Sequence, residues 1–391
     1  MRFLRPAMPA DLDALLDLAR QAGSGLTTLK PDRALLAERL DRVAGSFGQT
    51  LPEAERDYLF VLQDVADGSI GGVSAVRAAV GLDDAFYNYR VGSLVHSSRE
   101  LGIWNAMPTL FLVNDLTGAA ELCSLLLRGD WRGGVAGRLL SKARLGFIAE
   151  FRALFGDEVC AELRGYQDDD GRVPFWEGLG RCFFGMDFER ADDLSARGRK
   201  SFIAELMPKY PLYLDLLPRA AREAVGRVHP ATLPARKLLE AEGLRDQGYV
   251  DIFDAGPVLQ ARIAELRVMR HSRRLPAGEV GLKRTRARGG AESAEAGGRA
   301  SAGARAAAAP AASGAAASSR AQPVPADAGS SVPAQPVVAE PTAHWLVAST
   351  ALAGWRAIAW PGDAGAPRPL DAEALALLNL TPTDPVRIYR L

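Results

Sequence analysis

The chain has 391 residues, of which 48% are hydrophobic, so it can bury a large core in about two or three domains. Its 47 basic and 47 acidic side chains cancel, which argues against nucleic acid as the main partner. Three cysteines at wide spacings form no zinc or disulfide framework, and this favours a reduced, cytoplasmic chain. No membrane partner is expected, because no apolar run reaches the roughly 18 residues of a membrane span. Proline and acidic residues also come too early in the N-terminus for a secretory signal.

Strand and helix patterns alternate through the first 275 residues. A strand is predicted at Met1–Leu4, a helix at about Asp11–Gln21, and a second helix from about Pro31 to Val43. The stretch YLFVLQDVADGSIGGVSAVRAAVG predicts a hairpin that turns at Asp67–Gly68. An irregular region with strand-like pieces follows. The continuous apolar run ELCSLLL is then typical of a strand buried on both faces.

The composition changes abruptly between Pro276 and Glu340, where Ala, Gly, Ser, Pro and Arg dominate. Such a segment has too little apolar surface to offset its ordering entropy, so we predict a disordered linker at 276–340. In residues 341–391, WLVASTALAGWRAIAW predicts strands with a turn at Pro361–Gly362, Asp371 begins a helix, and DPVRIYRL predicts a last strand. About 50 residues are marginal alone, so we expect this segment to pack on the body at 1–275.

The strongest local signal is the glycine-rich sequence DWRGGVAGRLL, which follows the apolar strand and leads into a long helix. Glycine lets a backbone approach an anion closely, and the free N–H groups at a helix start favour negative charge. Arg132 and Arg138 add positive charge. The sequence fits neither a P-loop nor GxGxxG, so it predicts a different pyrophosphate cradle, with a tight turn lacking any ligand as the alternative.

The residues Gly134-Val135-Ala136 resemble the second half of the Gln/Arg-x-x-Gly-x-Gly/Ala pattern of GNAT acyltransferases, although Trp131 departs from its first position. The resemblance implies an α/β (α+β) fold with a GNAT-like mixed sheet flanked by helices. It also implies that the preceding strand diverges from its neighbour and pairs through its backbone with the pantetheine arm of acyl-CoA. The acyl-CoA site that it implies contains Leu125, Leu127, Arg132, Gly133, Gly134, Ala136, Gly137 and Arg138.

Longer blocks resemble the arginine N-succinyltransferase family, in order, over nearly all of residues 1–275 and in the C-terminal strands. They include YRVGSLVHSSRELG (89–102), DGRVPFWEGLGRCFFGMDF (170–188) and VGRVHPATLPARKLLEAEG (225–243). The resemblance implies transfer of succinyl from the co-substrate succinyl-CoA to the α-amine of L-arginine, or of ornithine, in arginine catabolism. It also implies a homo- or hetero-oligomer with a related subunit. The helix-then-glycine form of ARKLLEAEGL leaves open two GNAT-like halves, about 1–190 and 191–275.

Amide formation from a thioester needs a neutral amine and a proton for the leaving thiolate, but no metal and no permanently bound cofactor. Histidine titrates in the range that this proton transfer needs. His229 precedes Pro230, which restricts its backbone, and a histidine there could be structural. The VHPATLP block matches the family, which implies that His229 is the proton-transfer residue. Cys123 and Cys182 are expected to be core residues rather than nucleophiles.

A guanidinium substrate calls for paired carboxylates, and the substrate and succinyl carboxylates call for cations. The carboxylate candidates are Glu162, Asp168–Asp170, Asp251 and Asp254, and the cation candidates are Arg164, Arg181 and Lys200. Two alternative functions stay open. Trp131 and Trp176 at family-motif positions suggest a non-catalytic arginine-binding or regulatory protein on a degenerate GNAT scaffold, and the third hypothesis is an acetyltransferase for another amine.

Overall fold

A computed structural model describes residues 1–22, 28–196, 201–282 and 343–391. Within these ranges the protein has one mixed sheet of 14 strands with helices packed against it, and the α/β class predicted from the sequence is confirmed. The strands are β1 (Arg2–Pro6), β2 (Asp57–Asp64), β3 (Ile70–Arg77), β4 (Asn88–Ser98), β5 (Ile103–Val113), β6 (Ala120–Leu127), β7 (Glu158–Glu162), β8 (Leu212–Tyr213), β9 (Arg245–Asp251), β10 (Pro257–Arg262), β11 (Arg273–Pro276), β12 (Ala343–Ser349), β13 (Ala357–Gly362) and β14 (Pro385–Arg390).

The helices are α1 (Leu12–Ala22), α2 (Arg33–Phe47), α3 (Ala136–Glu150), α4 (Arg181–Phe184), α5 (Phe188–Ala196), α6 (Ser201–Leu206), α7 (Arg219–Ala224), α8 (Leu233–Glu242), α9 (Arg267–His271) and α10 (Ala372–Leu378). The strand order is β11-β14-β12-β13-β1-β2-β3-β6-β7-β10-β9-β4-β5-β8. Neighbouring strands are antiparallel except β6 and β7, which are parallel. The two halves considered from the sequence therefore share one sheet, because β7 pairs with β10.

Most predicted elements lie close to their expected positions, but the irregular region after β3 is a long hairpin. β4 and β5 pair without interruption from Asn88–Val113 to Ser98–Ile103. The far half of this hairpin is largely exposed, and main-chain hydrogen bonds rather than apolar burial hold it together. Apolar periodicity is consequently weak there, which is why the sequence showed only strand-like pieces.

Helix α3 crosses the centre of the main core and is buried along most of its length. The Phe147 ring packs edge-on against Phe60 and Trp355, with ring centroids 5.0 and 5.3 Å apart. The helix ends at Glu150, earlier than its apolar pattern indicates, and a 3-10 turn at Arg152–Leu154 continues the chain. Helix α3 is therefore packed tightly into the main core.

The C-terminal strands complete this core. β13 pairs with β1, and Trp355, just before β13, is fully buried with its ring centroid 4.9 Å from that of Phe60. Helix α3 approaches β12 so closely that a Cβ added at Gly146 would lie 2.6 Å from Leu346. Side-chain packing, as well as strand pairing, therefore joins the C-terminal segment to the body.

Two boundaries differ from the sequence prediction. Residues 276–282 are ordered rather than linker, since Pro276 ends β11 and Ala277 and Val280 are buried among the C-terminal strands. Pro361–Gly362 lies in β13 instead of forming a turn. Proline is tolerated there because β1 pairs with β13 only at residues 357 and 358. The remainder of the predicted linker, from residue 283, lies outside the described residues.

A membrane-crossing helix would need a long apolar segment, and none of the helices in the described ranges has the necessary length and composition.

Replacing Trp355 by Ala should lower the free energy of unfolding by about 3–5 kcal/mol, because it leaves a cavity between β2 and α3. Urea denaturation measures this change. Tyr210→Ala is the matched control, since this aromatic side chain is 84% exposed and its loss should change stability by less than about 0.5 kcal/mol. An unchanged urea midpoint for Trp355→Ala would show that the C-terminal segment is not part of the core.

Candidate active site

The parallel strands β6 and β7 pair at only two positions, Ala120–Val159 and Glu121–Cys160, and then separate. Ser124 has a φ of 51°, which is uncommon for a residue other than glycine, and the register between β3 and β6 shifts at the same place. Such a bulge bends a strand and ends its pairing. The separation opens a cavity of about 560 Å³ that also reaches the start of α3 and α8.

Most of the predicted acyl-CoA residues line this cavity, namely Leu125, Leu127, Arg132, Gly133, Gly134 and Gly137. Gly133 has a φ of 85°, which only glycine adopts without strain. A Cβ added at Gly133 or Gly134 would meet no atom within 4 Å, so the space before the loop is open. The Nε of Arg132 donates to the Leu127 carbonyl at 3.2 Å and ties the loop to the end of β6.

Two of the predicted acyl-CoA residues, and the tryptophan that departs from the GNAT pattern, do not line the cavity. Ala136 is buried in the main core and Arg138 is exposed, and neither lines the cavity. The Trp131 ring is buried against Gly71, where a Cβ would lie only 2.4 Å from the ring. The Arg2 guanidinium stacks over the same ring at 3.8 Å. Trp131 is therefore a packing residue that holds the loop against the sheet.

His229 stands beside the cavity, at the residue before the 3-10 turn Pro230–Thr232. Its backbone N–H donates to the Arg164 carbonyl at 2.9 Å. Arg164, Ala231 and Thr232 line the cavity, whereas His229 is not among the lining residues. The Nδ1 atom accepts a hydrogen bond from the Ala231 N–H at 3.2 Å, which assigns the hydrogen of the neutral ring to Nε2.

Burial, together with the positive charge of Arg164, lowers the pKa of His229 below its usual value. The ring is therefore neutral at neutral pH. The other histidines lie elsewhere: His96 bonds to the Tyr213 hydroxyl at 2.9 Å, His271 ends α9, and His344 lies in β12. Among the four histidines, His229 is the one beside the cavity.

Carboxylates gather at the inner end of the cavity. A second cavity of about 400 Å³ shares Glu121, Glu162 and Asp251 with the first. Glu162 accepts a hydrogen bond from the Asn88 amide at 2.9 Å. Burial, and then the neighbouring Asp254 and Glu162, raise the pKa of Asp251. A bound cation would relieve this repulsion, so the shared region suits a positively charged substrate group.

Asp254 is committed to the backbone, since its carboxylate accepts the N–H groups of Gly165 and Gly256, each at 2.7 Å. The Asp168–Asp170 run forms a turn of its own, in which Asp168 accepts the Asp170 and Arg172 N–H groups. Arg181 pairs with Glu177 on an exposed surface, and Lys200 lies outside the described residues. Of these candidates that the structure describes, Asp254 alone lies together with Glu162 and Asp251.

Of the two cysteines considered from the sequence, Cys123 lines the cavity and Cys182 does not. Burial raises the pKa of Cys123 to about 12, so its thiol stays protonated. The prediction that Cys182 is a core residue is wrong, because the short helix α4 turns Phe184 inward and leaves Cys182 exposed. Trp176 is fully buried and its Nε1 donates to the Met186 carbonyl at 3.0 Å, so it is also a packing residue.

Sequence reasoning missed three residues of the site region. Glu121 is the one charged residue of the largely apolar strand β6, and this could have indicated it. Arg144 follows Gly137 and Leu140 at helical spacing, and all three line the cavity. Asn88 carried no local signal, because its contact with Glu162 joins residues far apart in the chain. The described residues contain no cluster of His, Cys, Asp or Glu suited to a metal ion.

A family model described as arginine N-succinyltransferase beta subunit matches residues 2–268. The arginine N-succinyltransferases of Salmonella schwarzengrund (strain CVM19633) and Salmonella agona (strain SL483) are each 51% identical to this chain over 273 residues. Each match covers 70% of this chain and 79% of the relative.

The solved structure of arginine/ornithine succinyltransferase subunit AI from Pseudomonas aeruginosa is also similar, with a TM-score of 0.77 and 30% identity. That match covers 100% of this chain and 98% of the other. The predicted GNAT-like mixed sheet flanked by helices is confirmed. The chain therefore belongs to the arginine N-succinyltransferase family, and it is an acyltransferase.

Proposed function

We propose that the protein transfers the succinyl group of succinyl-CoA to the α-amine of L-arginine by direct attack. The observation that carries the proposal is a single opening between β6 and β7 with a glycine-rich, basic loop at one end and shared carboxylates at the other. An anionic cofactor arm and a cationic acceptor can thus meet from opposite ends. The names of the family and of its Salmonella members support the same activity.

The acyl-CoA would lie along β6. Its pyrophosphate would meet the backbone of Gly133 and Gly134 and the side chain of Arg132, with the first turn of α3 at Ala136 and Arg138 adding N–H groups and charge. The stretch of β6 that contains Leu125 and Leu127 lies beyond its pairing with β7. The pantetheine amides could therefore pair with that edge as an added strand.

His229 would handle the proton that moves from nitrogen to sulfur. The amine attacks the thioester carbonyl, a C–N bond forms, the C–S bond breaks, and one amine hydrogen ends on the CoA sulfur. For this relay the ring would carry its hydrogen on Nδ1 and give up the bond from the Ala231 N–H. Nε2 would then take the amine proton and pass it to the leaving sulfur, so the ring begins and ends neutral. The lowered pKa keeps the free ring neutral at neutral pH.

The acceptor guanidinium would bind where the two cavities join, at Glu162 and Asp251. Charge-assisted hydrogen bonds to a planar guanidinium suit such carboxylates, and the raised pKa of Asp251 falls when a cation arrives. Ornithine carries an ammonium in place of the guanidinium and would use the same carboxylates. The similar Pseudomonas aeruginosa protein is named for both amino acids, which supports this acceptor range.

The protein would work as a homo- or hetero-oligomer. At the tip of the β4–β5 hairpin, Leu101 in the turn and Trp104 in β5 are 70% and 68% exposed, and an exposed apolar group of this kind is typical of a subunit contact. Neither alternative function gains support from the site. Trp131 and Trp176 pack in the core and so do not mark lost catalytic groups, and an acetyl donor would need no cation in the cavity.

Release of free CoA tests the function. Succinyl-CoA with L-arginine should release CoA much faster than acetyl-CoA with L-arginine, and ornithine in place of arginine measures the acceptor range. Thiol titration follows the reaction. Arginine binding without succinyl-CoA binding or turnover, seen by calorimetry, would favour the regulatory alternative.

His229→Ala should reduce kcat by about 10²- to 10⁴-fold while CoA binding stays unchanged. In the wild type, kcat/KM should fall as the pH drops through the His229 pKa, which lies below the ordinary value, because an imidazolium cannot take up the amine proton. This decrease in kcat/KM at low pH should be absent from the residual activity of His229→Ala. His271→Ala, at the exposed end of α9, is the control. Near-normal turnover of His229→Ala would exclude His229 from proton transfer.

Glu162→Gln should raise the KM for arginine by about 10- to 100-fold, because it removes a charge-assisted contact with the guanidinium but keeps an acceptor for Asn88. Steady-state kinetics at saturating succinyl-CoA measures the change. Asp170→Asn removes an exposed carboxylate from the neighbouring turn and should leave KM unchanged. Equal KM values for the two variants would contradict the assignment of Glu162.

A further inference from the structure

Arg144 is a buried cation without a carboxylate partner among the described residues. Only 1% of the residue is exposed. Its Nε and Nη1 donate to the carbonyls of Ser141 and Cys123, both at 3.4 Å, beyond the usual range of such bonds. Its Nη2 is buried and has no hydrogen-bond partner in the part of the chain that the structure describes. Burial lowers the pKa of this guanidinium to about 10, so it is still charged at neutral pH.

The other buried cations of the described ranges are all paired. Arg5 contacts Asp11 at 2.7 Å, Arg39 contacts Asp57 at 2.7 Å, and Lys142 contacts Glu242 at 2.8 Å. An unpaired buried charge is strongly destabilising, so a guanidinium in this state favours a partner that arrives from elsewhere.

Arg144 lines the opening between β6 and β7. Arg144 lies about 12 Å along the axis of α3 from the first residue of that helix. β6 runs back along the same direction, and Cys123, whose carbonyl Arg144 contacts, lies about 13 Å from Leu127 at the loop end. An acyl-CoA bound along β6, with its pyrophosphate at Arg132 and Gly133, therefore points its acyl end toward Arg144.

We propose that Arg144 binds the terminal carboxylate of the donor's acyl group and so selects a dicarboxylic acyl-CoA over a monocarboxylic one. The proposal rests on the proposed succinyl transfer and assigns its donor selectivity to one residue. The guanidinium offers Nη2, and it can exchange its long bonds to the Ser141 and Cys123 carbonyls for charge-assisted bonds to the carboxylate. A butyryl group has nearly the same length but would leave the buried charge unpaired.

Arg144→Met tests this selectivity with succinyl-CoA and butyryl-CoA as donors. The ratio of the two kcat/KM values should fall by about 10- to 100-fold, because succinyl-CoA loses a charge-assisted contact and butyryl-CoA does not. The thermal midpoint should stay the same or rise, since methionine replaces an unpaired buried charge at similar volume. Lys142→Met on the same helix is the matched control: it leaves Glu242 buried without its cation, so it should lower the midpoint yet leave the donor ratio unchanged.

An unchanged donor ratio in Arg144→Met would overturn the proposal. A rise in the KM for arginine that is equal with both donors would overturn it as well, since Arg144 would then hold the acceptor. Should Arg144→Met not fold, Arg144→Lys gives the same readout, because lysine cannot form the bidentate pair and the ratio should still fall. Calorimetry of the wild type separates the proposed succinyl transfer from the proposed role of Arg144. No binding of either acyl-CoA would contradict succinyl transfer itself, whereas equal binding and turnover of both donors would contradict only the role of Arg144.

Discussion

β6 and β7 separate after two paired residues, and every feature of the site depends on this separation. A buried polar network holds the bulge at Ser124 that produces it. Arg39 of α2 donates to the Ser124 hydroxyl at 2.9 Å and forms a bidentate pair with Asp57, while the Ser124 N–H donates to the Thr28 hydroxyl at 3.2 Å. These bonds stabilise a left-handed backbone that a serine otherwise seldom adopts. The opening is thus built into the packed core.

Charge is arranged along this opening in the order that the proposed reaction would need. The loop at Arg132 is basic and the middle is apolar along Leu125 and Leu127. The lining also includes the carboxylates of Glu162 and Asp251 and the guanidinium of Arg144, whose Nη2 has no hydrogen-bond partner among the described residues. The buried guanidinium of Arg144 is costly without a partner and becomes favourable when a substrate carboxylate arrives. In the proposed reaction, binding of the two substrates would bring their reacting groups beside His229.

Local sequence signals were sufficient for most of the elements and for one wall of the site, whereas the GNAT-like sheet was predicted from the family resemblance. The apolar run of β6, the glycine-rich loop and α3 follow each other within about thirty residues, so their pattern predicts both the elements and their order. The bulge at Ser124 had no such signal, because its cause is a hydrogen-bond network to Arg39 and Thr28, far away in the chain. The acidic end combines Glu121, Glu162 and Asp251 from three strands, and only the sheet order brings them together. The sequence did not indicate that Arg144 is buried, because a single arginine in a helix usually faces solvent.

The most direct test of this account is a crystal structure of the protein with succinyl-CoA bound. We expect the pantetheine arm between β6 and β7, the pyrophosphate at Gly133 and Gly134, and the succinyl carboxylate within hydrogen-bond distance of the Arg144 guanidinium. The thioester should then lie within reach of His229. Succinyl-CoA bound outside this opening, or an acyl chain directed away from both Arg144 and His229, would contradict the account.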